Sequence, residues 1–205
     1  MTYARAFLRA IQAGHSMHFR FPHLIALTVV LALGHLACAQ AVEYNQVNAA
    51  ASQISFTFSQ FGSRVYGTFG EFGGSLDFDT QNPGAAHAVL NIQLASIDAG
   101  SDDANTELKK PAWFDTEHFP VGTFKSTRVK ALGGDRYLFI GTLTLKTLTL
   151  PVEVPVQLSA QSGIGVFVGE FALNRDDFKI GAGEWADGVV SKDINIRFRM
   201  VAPER

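Results

Sequence analysis

Cysteine is almost absent from this 205-residue chain: the single one, Cys38, precedes everything that reads as folded protein. A disulfide framework is therefore excluded, and the fold must be held by its core. Histidine is scarce where it would matter. Four of the six lie in the first 41 residues, leaving His87 and His118 with no cysteine beside them, which argues against the usual zinc and copper donor sets. Long apolar runs are missing too, since the longest, residues 24–33, has ten residues and is too short to span a bilayer. The chain carries no Gly-x-Ser-x-Gly elbow, no phosphate loop and no His-Glu-x-x-His, so no catalytic signature stands out. No period of 20–50 residues repeats.

The apolar run has the length of a signal-peptide core, with Arg20 and His23 before it and Ala39-Gln40-Ala41 after it as a cleavage site. Cleavage after Ala41 leaves residues 42–205 as an exported, periplasmic domain. Met17 opens a conventional leader, with residues 1–16 as an upstream extension; Met1 with a longer basic region is the alternative start. Cys38 raises a lipid anchor as a second alternative, but His35 stands where such anchors carry an aliphatic residue, which favours ordinary cleavage. The leader takes Arg5, Arg9 and Arg20 from the 17 basic residues and none of the 19 acidic ones, leaving 14 against 19, a net charge of −5. A mildly acidic domain without basic clusters excludes nucleic acid as a natural partner and offers no polybasic patch to anionic membranes.

What is present is alternation. Over residues 52–79, Ile54, Phe56 and Phe58 face one way, while Gln53, Ser55, Thr57 and Ser59 face the other. Phe61-Gly62-Ser63 supplies a turn. A second arm carries Val65, Gly67 and Phe69, then slips phase and resumes as Phe72, Gly74, Leu76 and Phe78. A one-residue slip needs a bulge or a bend, which belongs at Gly70-Glu71 and would help a sheet curl closed. Further strands are expected at 42–47, 86–96, 123–129, 136–145, 152–158, 164–173 and 189–201, with Pro155 marking an edge or bulge. Residues 101–110 form the only convincing helix, capped by Ser101 and stopped by Pro111. The pattern predicts an all-β antiparallel barrel of about eight strands with one short helix covering an end.

Asp176, Asp177, Glu184 and Asp187 gather around one loop, as carboxylates commonly do, with general acid–base work as the less favoured alternative; Arg175 is expected to fix that loop by pairing with a carboxylate, with a ligand contact as its alternative. His87 and His118 read as solvated. Residues 42–205 hold 14 phenylalanines, and most of those in strands fall on apolar faces. A barrel of this size is either just filled or holds one ligand, and inward glycines 67, 74 and 141 are expected to leave gaps.

The order of short motifs resembles the YceI family. Ser-x-Ile-x-Phe-x-Phe at 52–58, Gly-x-Phe at 67–69, Phe78-Asp79 and Ser-Ile-Asp-Ala-Gly at 96–100 come first. Trp-Phe-Asp-x-x-x-Phe-Pro-x-x-x-Phe-x-Ser follows at 113–126, then the Gly-x-Leu-Thr-Leu and Pro-Val-x-Val-Pro-Val run within 141–156. Leu-Asn-Arg-x-Asp-Phe at 173–178 closes the series. Gln60 stands where many members carry a histidine, Asn105-Thr106-Glu107-Leu108 replaces an Arg-Asp-x-His-Leu, and Thr147 replaces a glycine.

The resemblance implies a lipocalin-like periplasmic barrel with an apolar pocket for a polyprenyl lipid or an isoprenoid quinone, no catalytic residues and no other cofactor. The Trp-Phe-Asp variant resembles the branch associated with a membrane cytochrome b, so delivery of quinone to such a partner is an alternative role; a filled barrel with a structural or stress-protective role is another. A homodimer is left open. The residues expected to meet the ligand, all through apolar burial, are Phe56, Phe58, Phe69, Phe78, Leu90, Ile92, Trp113, Phe114, Phe139 and Phe198, with residues 101–119 covering the mouth.

Overall fold

The alternation becomes strand almost wherever it occurs. A computed structural model describes residues 41–183 and 189–205. The expected leader up to Gln40, with Cys38, and the loop carboxylates Glu184 and Asp187 lie outside the described residues. The strands are β1 (Glu43–Gln46), β2 (Gln53–Gln60), β3 (Ser63–Phe69), β4 (Phe72–Asp79), β5 (His87–Gln93) and β6 (Ile97–Asp98). After helix α1 (Asp102–Leu108) come β7 (Val121–Gly133), β8 (Arg136–Leu145), β9 (Leu148–Gln161), β10 (Ile164–Asn174) and β11 (Asp193–Pro203).

All belong to one antiparallel sheet, in the order β1-β4-β5-β7-β8-β9-β10-β11-β2-β3-β6. Eleven segments stand where about eight strands were expected, and the surplus has a simple origin. β1 and β2 lie along one line, interrupted by a 3-10 turn at Ala49–Ala51. β3 and β4 share a second line, broken at Gly70-Glu71, and β5 and β6 share a third, broken by the turn Leu94–Ser96. β2 pairs with β3 and β1 with β4, while β4 pairs with β5 and β3 with β6, so the three broken lines run side by side. β11 closes the ring, pairing with β2 through Phe198–Ile54 and reaching β1 through a bridge from Glu204 to Tyr44. The eleven segments thus lie on eight lines of a curled, lipocalin-like sheet.

The breaks match across lines. The Gly70 N–H donates to the Ser96 carbonyl (3.1 Å), the Glu71 N–H to Ser96 Oγ (3.0 Å) and the Gln93 N–H to the Glu71 carbonyl (2.9 Å). The phase slip in the sequence is therefore a shared corner, where backbone groups lost to the ladder are recovered between neighbouring corners. Pro155 falls just beyond the last β9–β10 pair, Val156 with Gly169, where a missing N–H costs no ladder bond.

The inward glycines correct the expectation of gaps. A Cβ on Gly67 would meet the Phe56 ring at 2.2 Å, one on Gly74 the Val89 carbonyl oxygen at 2.0 Å, and one on Gly141 the Lys125 carbonyl oxygen at 2.3 Å. Neighbouring strands and rings already occupy that space, so these glycines permit close approach and leave no void.

Rings close one end of the barrel. Phe78 is fully buried, with its ring 4.9 Å from Tyr137, 5.3 Å from Phe167 and 6.4 Å from Tyr44. The contacts with Tyr137 and Phe167 are edge-to-face, an arrangement that adds to the area the rings bury. The buried Tyr44 hydroxyl is held above its ordinary pKa, first by desolvation and then by the nearby Glu204 carboxylate.

Candidate functional site

Away from that plug the interior is open. A chamber of about 480 Å³ lies under α1, and a deeper one of about 130 Å³ lies towards the plug. Ile54, Ile92, Leu143, Phe171 and Ile196 line both, forming a neck between them. The larger is a size that small-molecule sites commonly have.

The cover is built from a short helix that would not stand alone in water. Ser101 caps it, its hydroxyl accepting from the Ala104 N–H (3.3 Å), and Asp102 and Asp103 occupy its first turn. Asn105 ties it down: its side-chain oxygen accepts from the Ala99 N–H at 2.7 Å and its amide donates to Asp98 at 3.2 Å. The Gly100 N–H and the Asn105 amide together hold the Asp98 carboxyl below its usual pKa. Ala104 and Leu108 face the chamber. The chain then turns, with the Trp113 N–H donating to the Lys110 carbonyl (2.9 Å) and the Phe114 N–H to the Leu108 carbonyl (3.0 Å), and both rings enter the lining.

Arg175 anchors the chain beside this cover. It is 2% exposed, and its guanidinium donates to the carbonyls of Ile180 (2.8 Å), Gly181 (3.0 Å), Val190 (3.1 Å) and Ser191 (3.2 Å). The expected carboxylate partner is present as Asp176, 3.3 Å away, but the carbonyls take most of the donors. Lys192 holds the Asp176 carboxyl below its usual pKa, with Arg175 adding to the effect. Arg175 therefore fixes the described stretches at 180–181 and 190–191 to each other, more through their carbonyls than by pairing charge.

Six of the ten expected residues, Phe56, Phe58, Phe69, Ile92, Trp113 and Phe114, line the large chamber. Leu90, Phe139 and Phe198 line the deeper one, and Ile92 reaches both. Phe78 lines neither, because it belongs to the ring plug. Sequence reasoning missed the polar rim of Gln60, Ser101, Asp103 and Glu107, and apolar lining residues such as Leu145, Ile180 and Val190. The inward alternation of β8 carries Leu143 and Leu145 as plainly as it carries Phe139, and choosing by ring size passed over them. Among the described residues no group of three or more histidines, cysteines and carboxylates is placed to hold a metal.

A curled antiparallel barrel, plugged at one end by rings and hollow and apolar towards a helical cover, defines the lipocalin-like class of ligand-binding folds. The chain belongs to the YceI family, whose domain model matches residues 45–202. A UPF0312 protein of Photorhabdus laumondii is 34% identical over 140 residues, 67% of this chain and 72% of its own length. A UPF0312 protein of Yersinia pestis is 37% identical over 109 residues, 53% of this chain, and there the match spans 56% of the relative. Among solved structures, Burkholderia cenocepacia BcnA superposes with a TM-score of 0.74 at 31% identity, over 76% of this chain and 99% of that one. A polyisoprenoid binding domain from Saccharophagus degradans shares the fold, with a TM-score of 0.63 at 20% identity, over 80% of this chain and 99% of that one.

Proposed function

We propose that this protein binds an isoprenoid lipid or quinone without transforming it, with the chain buried in the two chambers and the polar end under α1. The observation that carries this reading is an apolar interior: apolar side chains dominate the large chamber, whose polar lining is the buried Arg175 with Gln60, Ser101, Asp103 and Glu107, and the deep chamber is almost wholly apolar. The polyisoprenoid-binding domain of the same fold and membership of the YceI family support it. A filled barrel fits poorly with about 480 Å³ of interior space.

Chambers of about 480 and 130 Å³ leave room for a chain of a few isoprene units. Each unit buried contributes about 3 kcal/mol before ordering costs, so a few suffice for firm binding with hardly any polar contact. The nine chamber-lining residues among the ten expected ones act through burial, and Phe78 supports the closed end. Export to the periplasm with cleavage after Ala41 belongs to the same proposal, as does handing quinone to a membrane cytochrome b.

Extraction of the protein purified from its native periplasm, followed by mass spectrometry, tests the binding. A prenyl lipid or quinone at near-stoichiometric yield is expected, and its absence would sink the proposal. Amino-terminal sequencing of the same preparation should begin at Val42.

A further inference from the structure

We infer that the chamber accepts prenyl amphiphiles with a neutral or cationic head and turns away their phosphate and diphosphate esters; this rests on the binding reading above. Apart from the buried Arg175, and Ser75 in the deep chamber, the polar lining side chains are Gln60 and, on the cover, Ser101, Asp103 and Glu107, so an amphiphile enters tail first and leaves its head beside these four. A phosphate at that place needs cations or a row of free N–H donors. Among the described lining residues the only cation is Arg175. Its donors already go to four backbone carbonyls, with Asp176 beside it, and diverting them to a phosphate would leave the buried carbonyls at 180–181 and 190–191 without their donor.

The remaining charges at the rim are carboxylates. Glu107 is paired with Lys110, which adds no net positive charge, and Asp103 sits in the first turn of α1. Residues 184–188, Glu-Trp-Ala-Asp-Gly, contain two acids and no base, so that stretch brings no cation to the site wherever it lies. An anionic head in this rim would be desolvated beside like charge, whereas a hydroxyl or a quinone carbonyl meets the amide of Gln60 and the hydroxyl of Ser101 without that cost.

The test is a displacement assay with three ligands of one chain length: geranylgeraniol, geranylgeranyl diphosphate and geranylgeranylamine. The alcohol is expected to bind at least tenfold more tightly than the diphosphate, and the ammonium at least as tightly as the alcohol. The gap between alcohol and diphosphate should shrink in high salt and in the double variant Asp103→Asn, Glu107→Gln, whose fold is checked by its melting curve. A wild-type protein that binds the diphosphate as tightly as the alcohol, or more tightly, overturns the inference while leaving prenyl binding intact. If none of the three binds, the prenyl reading itself fails and this inference falls with it.

Discussion

The guanidinium carbon of Arg175 stands 5.8 Å from the centre of the Trp113 ring, joining the loop after β10 to the cover over the barrel. Gly181 makes that approach possible. Its φ is +71°, and a Cβ there would lie 2.8 Å from both side chains, while its N–H donates to the Ala112 carbonyl at 2.8 Å. Cover and loop therefore form one unit around a buried cation.

Replacing Arg175 with methionine should destabilise the domain by about 3 kcal/mol, because several buried carbonyls lose their donor at once. Arg175→Lys should recover little, since one ammonium cannot reproduce the planar fork. Urea unfolding followed by circular dichroism measures both. A lysine variant as stable as wild type would contradict the role given to the fork.

Trp113→Ala removes a buried ring from the chamber wall and should cost about 3–5 kcal/mol. It should also reduce the lipid retained through purification several-fold, which mass spectrometry of the extracted variant reads directly. Unchanged retention would remove Trp113 from the binding surface.

Leu143 lies at the neck between the chambers. Leu143→Trp should block the deep chamber at about 1–3 kcal/mol of overpacking cost. Prenyl alcohols of increasing length then separate the chambers: those that fit the large one alone should keep most of their affinity, and those that reach the deep one should lose the advantage of length. An equal loss at every length would mean that the deep chamber is not used.

His118 Nδ1 lies 2.9 Å from Asp115 Oδ1 on an exposed turn, and that hydrogen bond holds the histidine above its ordinary pKa. The folded state therefore binds the proton more tightly than the unfolded chain. The pair's contribution to stability is full below the ordinary histidine value of about 6.5 and is lost as pH rises through the raised folded value. An NMR titration should place the His118 midpoint above that of an unperturbed histidine, and Asp115→Asn should bring it back. No change in the variant would mean the hydrogen bond is not the cause.

Much of this was readable in the residues because its causes are local. Period-two alternation marked nearly every strand, and Ser101 with Pro111 bounded the helix within a residue or two. The slip between Phe69 and Phe72 marked a corner. Its meaning as one of three matched corners was not readable, since it depends on hydrogen bonds from Gly70 and Glu71 to Ser96, far along the chain.

The sequence by itself determined which face of each strand is apolar and where the helix is capped. Those follow from neighbours a few residues apart. Only the tertiary structure decided which inward positions are full and which border a cavity. Gly67, Gly74 and Gly141 looked like gaps and are filled by residues on adjacent strands, and Phe78 looked like a wall of the pocket and belongs to the ring plug instead, lining neither chamber. Both outcomes depend on which side chains meet across the barrel, a matter of strand register and ring size that no local pattern encodes. Arg175 shows the same limit: its charge is plain in the sequence, but its four carbonyl partners lie on two stretches, 180–181 and 190–191, that meet around it only in the folded protein.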